Sequence, residues 1–231
     1  DRGQAIWDDT GTQVRMSGSL RDVSEAKEAG LPGKPGSLDL REPLAMIESF
    51  RRPLLEGKAV ELDKDGSTIA TRMASAGGRM ASLIADLQTL SWVMDTEVRR
   101  ESVNLSAIAR SVVRRLRRDP SDRKVTFSIA RDLVVEGDPR LLRVMLENLL
   151  HNAWKFTGKH PGARIELRAA REDGESVYYV RDKGAGFDMA QSERLFRLFQ
   201  RLHAPEDFEG TGVGLATVRH IVRRHGGNIW A

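Results

Sequence analysis

The sequence predicts an α+β chain in which a helical hairpin precedes a two-layer α/β sandwich. Three observations carry that expectation. Ile69, Met73, Ala76, Met80, Leu83, Leu87 and Leu90 alternate spacings of four and three, a heptad seam typical of helices packed at a shallow angle. From residue 104 onward helical and strand-like patterns alternate, which places helices on one face of a mixed sheet. Finally, the stretch through Glu147–Phe156 is amphipathic: Leu142, Met145, Leu146, Leu149, Ala153 and Trp154 fall on one side, and Asn148, Asn152 and Lys155 stack turn above turn on the other.

Composition narrows the class. The chain has 231 residues, 40% hydrophobic and 30% charged, enough for one or two globular units. It has no cysteine, which excludes a disulfide framework, a zinc–thiolate site and a thiol nucleophile, and fits a reducing compartment. No apolar run approaches the ~20 residues that span a bilayer, and no signal-peptide core is present. A cytoplasmic location without membrane contact in this chain is therefore expected, and an anchor upstream in the intact protein is compatible with it. The net charge of +4 and pI near 9.6 come largely from dispersed arginine. That small excess argues against a nucleic-acid partner. The chain begins without Met and ends on the strand-like Ile229-Trp230-Ala231, so it reads as a fragment whose sandwich is truncated at its C-terminus.

The elements follow in order. Residues 1–23 read as a β-hairpin, with Ala5-Ile6-Trp7 and Val14–Leu20 around the turn-forming Asp8-Asp9-Thr10-Gly11. Residues 24–36 are a linker, because Gly30, Pro32, Gly33, Pro35 and Gly36 prevent a continuous helix. Ser37 caps a first helix carrying Leu40, Leu44, Ile47 and Leu54, with Pro43 and Pro53 as kinks. The heptad helix follows, and Gly77-Gly78 interrupts its seam at up to ~1 kcal/mol per glycine. A two-helix hairpin cannot bury both seams alone, whereas a four-helix bundle from two chains can, so residues 37–97 are expected to form a homodimer. Residues 98–231 make the sandwich. A helix over 104–118 turns Leu105, Ile108, Ala109, Val112, Val113 and Leu116 inward and leaves an arginine face to solvent. Val125–Ile129, Leu133–Val135, Ile165–Leu167 and Val177–Val180 read as strands. Asp138-Pro139 starts the polar-ladder helix, with Asp at N-cap and Pro at N1.

Chemistry gathers around that helix. An Asn carbonyl is a hard-oxygen ligand suited to magnesium, and Lys155 offers a compact cation for phosphate. Downstream, Asp182-Lys183-Gly184-Ala185-Gly186 follows a strand, and Gly210-Thr211-Gly212-Val213-Gly214-Leu215 opens a further helix. Glycines before a helix N-terminus present backbone N–H groups to phosphate without Cβ obstruction. His151, His203, His220 and His225 lie in no triad-like or metal-ligand arrangement.

In this order these stretches resemble the N, G1, F and G2 boxes of the ATP-binding catalytic domain of sensor histidine kinases, within the ATPase superfamily shared with gyrase, Hsp90 and MutL. The F box is Leu195–Phe199. Residues 37–97 resemble that family's dimerisation and phosphoacceptor hairpin, and Gly3–Asp22 resembles the last strands of a PAS domain. The resemblance implies the histidine kinase/Hsp90-like fold, ATP and Mg²⁺ as cofactors, and a response-regulator receiver domain as partner. It further implies that Asp182 accepts from the adenine amino group, that Asn152 ligates magnesium with Asn148 in support, that Lys155 meets the phosphates, and that Gly184, Gly186, Gly210, Thr211, Gly212, Val213, Gly214 and Leu215 shape the nucleotide site. Phe196 and Phe199 belong to a mobile lid or, equally, to the core of a short helix.

One position departs from the family. Its phosphoacceptor motif, His-Asp/Glu-Leu-Arg-x-Pro-Leu, aligns with Leu38-Asp39-Leu40-Arg41-Glu42-Pro43-Leu44. Leucine has no lone pair to attack a phosphoryl group, so Asp39, the general base by resemblance, has no client. The sequence therefore implies ATP binding without autophosphorylation in cis, or alternatively a non-catalytic dimeric scaffold.

Overall fold

The structure is a computed structural model, and it describes residues 13–17, 64–118, 123–172, 175–204 and 207–231. The expected linker, the first helix and the motif containing Leu38 and Asp39 lie outside the described residues. The chain divides into two compact units, one of residues 22–88 and one of residues 1–21 with 89–231.

Helix α1 (Lys64–Asp95) is a single run. The glycine pair does not break it: a Cβ at Gly77 or Gly78 would meet nothing within 4 Å, so both cost propensity alone. Along the seam Ala76 is buried, and Met80, Leu83 and Leu87 are half-buried. Ile84 is 46% exposed. Among the described residues no helix is long and apolar enough to cross a membrane.

The larger unit is the expected two-layer sandwich. After β1 (Gln13–Ser17) and α1 come β2 (Glu101–Asn104), α2 (Leu105–Leu116), β3 (Thr126–Ile129), β4 (Val134–Gly137), α3 (Pro139–Phe156), β5 (Arg164–Glu172), β6 (Glu175–Asp182), a 3-10 turn (Met189–Arg194), α4 (Gly214–Arg224) and β7 (Asn228–Trp230). The main sheet has the order β3-β5-β6-β1-β7, and β2 pairs β4 separately. β3 runs parallel to β5, whereas β5–β6, β1–β6 and β1–β7 are antiparallel. The sheet is therefore mixed.

The N-terminal strand differs from expectation. The sequence sets residues 1–23 apart as a separate hairpin. Instead β1 lies between β6 and β7, with Gln13 opposite Arg181 and Arg15 opposite Trp230. β6 and β7 are not paired with each other, so a strand between them satisfies both their ladders. A second surprise is β2, which pairs Val103 with Val135. It is too short to show an alternating pattern.

One core joins the layers. Leu141, Met145, Leu146 and Leu150 of α3 are at most 1% exposed, as are Ile165 of β5, Leu105 and Val112 of α2, and Val218 and Ile221 of α4. Phe127 of β3 stacks on Trp154 of α3 at 5.9 Å. Such close packing makes truncation of Leu146 or Leu150 to Ala cost about 2–5 kcal/mol. Through this core α3 becomes the spine of the unit, with one face on the sheet and its ladder face left for other work.

Candidate functional site

The spine starts as its sequence dictates. Asp138 is the N-cap, and its carboxylate accepts from the backbone N–H groups of Arg140 and Leu141 at 2.9 and 3.3 Å. It also accepts from the Arg99 N–H at 3.0 Å and from Arg140 Nη2 at 2.8 Å. Burial alone raises the pKa of this fully enclosed carboxyl, but the Arg140 guanidinium and the backbone donors win and hold it well below the usual range. At the far end the Thr157 hydroxyl donates to the carbonyls of Ala153 and Trp154, at 2.8 and 2.9 Å.

The C-terminal half of α3 meets two separate stretches of chain, Gly210–Gly214 and Asp182–Gly186. The Asn148 amide donates to the Val144 carbonyl at 2.9 Å, which turns its Oδ1 outward toward α4. A Cβ on Gly214 would lie 2.5 Å from that oxygen, so the first residue of α4 must be glycine for the helices to approach this closely. One turn on, Asn152 is half-buried on the same face. Beyond it the Lys155 ammonium sits 4.3 Å over the Phe156 ring and 3.1 Å from where a Cβ on Gly210 would stand.

The second stretch closes the C-terminus of α3. The Ala185 N–H donates to the Phe156 carbonyl at 3.1 Å. A Cβ on Gly184 would come within 2.7 Å of both that carbonyl and Asp182 Oδ1. Asp182, at the end of β6, is pushed up to about 6 by burial, with the Gly184 N–H offsetting part of the shift. Gly186 turns the chain at φ 64°.

The N-terminus of α4 is open. Its N-cap, Val213, makes no side-chain cap bond. Thr211 instead uses its hydroxyl to accept from the Val213 N–H at 3.3 Å. First-turn N–H groups without a capping side chain form a site for anions.

The expected lid divides in two. Phe196 is 7% exposed and belongs to the interior, whereas Phe199 is 37% exposed with φ 61°. That left-handed conformation is costly for an aromatic residue. It is held by the Phe199 N–H donating to the Gly212 carbonyl at 3.0 Å. Gly212 itself has φ 74° and backs onto Phe199, whose backbone would be 2.8 Å from a Cβ there.

The structure thus sets Gly214 against Asn148, Gly210 against Lys155, and Gly184 with Asp182 against the Phe156 carbonyl at the C-terminus of α3, with Asn152 between Asn148 and Lys155 on the helix. On the sequence the expected lid runs from Leu195 through Phe208, but its aromatic packing against the end of α3 is not legible there. Phe156, His203 and Phe208 form a triangle of ring contacts at 5.0–5.2 Å. Only the aromatic following Lys155 hinted at it. Among the described residues no group of three or more His, Asp or Glu forms a metal cluster.

Residues 137–231 match the family described as histidine kinase-, DNA gyrase B-, and HSP90-like ATPase. The chain is 37% identical over 229 residues to the methanogenesis regulatory histidine kinase FilI of Methanothrix harundinacea, a match covering 94% of this chain and 25% of that protein. It is 28% identical over 195 residues to the sensor protein kinase PmrB of Pseudomonas aeruginosa, covering 83% of this chain and 40% of the relative. Among solved structures, the Acinetobacter baumannii histidine kinase AdeS shares the fold with a TM-score of 0.56 at 19% identity, over 83% of this chain and 94% of that one. Full-length ShkA, solved in complex with AMPPNP, matches with a TM-score of 0.50 at 21% identity, over 82% and 44%. The chain spans only a quarter of the length of FilI.

Proposed function

We propose that the chain is a segment of a sensor histidine kinase, its residues 137–231 matching the histidine kinase-, DNA gyrase B-, and HSP90-like ATPase family, and that it binds ATP with Mg²⁺ in a two-component phosphorelay. The observation that carries this reading is the meeting of two distant stretches, Gly210–Gly214 and Asp182–Gly186, with the C-terminal half of α3, at Asn148, Lys155 and the Phe156 carbonyl.

Each residue has a task its chemistry suits. Asp182, ionised above about pH 6, accepts from the adenine amino group. Gly184 and Gly186 let the chain pass under the base. The Asn152 carbonyl is the protein ligand of magnesium, with Asn148 beside it. So small a protein contribution suits a cation that keeps most of its waters and leans on phosphate oxygens. Lys155 and the uncapped first turn of α4, entered through Gly210, Thr211, Gly212, Val213, Gly214 and Leu215, neutralise phosphate charge. Phe199 lies on the lid, with the buried Phe196 as its anchor. When bound, Mg²⁺·ATP supplies the transferable phosphoryl group and its charge shield.

The half-buried seam of α1 supports a homodimer through residues 37–97, and the two-component role implies a receiver domain as partner. Residues 98–231 are the catalytic unit in this reading. Leu38 at the acceptor position favours a second outcome, a dimeric scaffold or a kinase that phosphorylates another subunit. Incubation with γ-labelled ATP separates these. The chain should acquire no acid-labile, base-stable label, and Leu38→His should acquire it. Such label on the unaltered chain would overturn the loss of the acceptor. ATP binding unaffected by Asn152→Ala and Asp182→Ala would overturn the site.

A further inference from the structure

We propose that His225, in its neutral Nδ1–H tautomer, is a positioning residue for the nucleotide site: it bolts the start of α3 to the end of α4 and so sets the closeness of Asn148 and Gly214. The inference rests on the nucleotide reading above.

The geometry leaves the imidazole no freedom. The Asp138 N–H donates to His225 Nε2 at 2.9 Å, so this nitrogen carries a lone pair. The opposite nitrogen, Nδ1, lies 2.8 Å from the Ile221 carbonyl, so it carries the proton. One bond grips the residue that caps α3, and the other grips the last turn of α4. The ring is wedged as well. A Cβ on Gly137 would come within 2.8 Å of His225 Cδ2, so the glycine before Asp138 makes room for it.

This bolt sits at one end of two adjacent helices whose other halves form the site. α3 runs from Asp138 to the polar ladder, and α4 runs from Gly214 to His225. Fixing the Asp138–His225 end fixes the angle at which Gly214 meets Asn148. A contact in which a single methyl would stand 2.5 Å from the amide oxygen tolerates little rotation.

Protonation undoes the bolt, because an N–H at Nε2 would confront the Asp138 N–H. The surroundings resist that charge. Burial lowers the pKa of His225 below its ordinary 6.5, the Ile221 carbonyl opposes this, and Arg100 and Arg224 add to the lowering while the Asp138 carboxylate counters it. The other nearby cation, Arg140, is already engaged by Asp138. The bolt is therefore formed at neutral pH, and its contribution is lost as pH falls through the lowered His225 pKa, below the ordinary 6.5.

The test compares the unaltered chain, His225→Ala and His225→Gln for Mg²⁺·ATP affinity by calorimetry at about pH 7.5 and pH 5.5, a pair bracketing the histidine range. Gln can accept from the Asp138 N–H with its oxygen and donate to the Ile221 carbonyl with its amide, and it does not titrate. His225→Ala should weaken binding about tenfold, as for a lost hydrogen bond to a backbone donor, while melting cooperatively. His225→Gln should recover most of that affinity and show a smaller acid-induced loss than the unaltered chain. Gln no better than Ala, or equal pH dependence in all three, would overturn the proposal. If His225→Ala does not fold, the Gln comparison decides alone. If the unaltered chain binds no nucleotide, the site reading fails, and nitrogen NMR of His225 still tests the bolt: an Nε2-protonated ring at neutral pH would refute it.

Discussion

The two ends of α3 are built on opposite principles. At its N-terminus both the carboxylate and the N–H of Asp138 are engaged. Asp138 accepts from four groups and meets a histidine through its own N–H. At its C-terminal half glycines stand where side chains would, Asn148 Oδ1 faces an uncapped helix start, and Asp182 is held near pH 6 by burial. The contrast teaches a division of labour. Satisfied polar groups give stability and fix direction, whereas incompletely satisfied ones wait for a ligand. Loss of the Asp138 carboxylate should register chiefly in unfolding and changes at the second end chiefly in binding, while His225, which links the two helices, should register in affinity.

The largest effect that would break this comparison lies at Gly214. Gly214→Val drives bulk into Asn148 and should lower Mg²⁺·ATP affinity by about a hundredfold, or about 2.7 kcal/mol, in a calorimetric titration. The matching change at the other end is Asp138→Ala. It removes a buried, multiply bonded carboxylate whose ionic partner Arg140 is half-exposed, so urea denaturation should show a loss of about 2 kcal/mol. Affinity should change far less. Because the Asp138 pKa is depressed, its contribution is present above the ordinary 3.8 and lost as pH falls below it.

Asp182 sharpens the contrast by carrying the opposite sign. Its pKa is raised, so its share of stability is present below the ordinary 3.8 and lost as pH climbs through about 6. Nucleotide affinity should behave conversely and decline as pH falls through about 6. Asp182→Asn should raise the melting temperature at neutral pH, weaken ATP binding about tenfold, as for a lost hydrogen bond to a charged acceptor, and flatten that decline to the part His225 contributes. The smallest effect is the control. Asn104 caps α2 by accepting from the Ala107 N–H at 2.9 Å, and Asn104→Ala should cost about 1 kcal/mol without altering affinity.

Much of this was legible in the sequence because it is local. Asp138-Pro139 announces a helix start by chemistry that needs no tertiary context. The ladder Asn148, Asn152, Lys155 follows from helical periodicity alone. Strands β3, β4, β5 and β6 were readable from residue type, although β5 runs on to Glu172, past the apolar stretch that marked it, and β2 was not. What escaped notice is non-local. The place of β1 depends on two ladders more than a hundred residues away. His225 looked ordinary because its partner is 87 positions distant. Phe196 and Phe199 are three residues apart on similar sequence, yet one is buried and the other turned out by a positive φ that only the contact with Gly212 explains.

The most direct test of the central claim is a calorimetric titration of the chain with ATP, with and without magnesium, repeated on Asn152→Ala. Binding should tighten with magnesium in the unaltered chain, and Asn152→Ala should lose that increment while keeping its melting temperature. Equal affinity in all four titrations would contradict the assignment of the α3 ladder as a magnesium–nucleotide site.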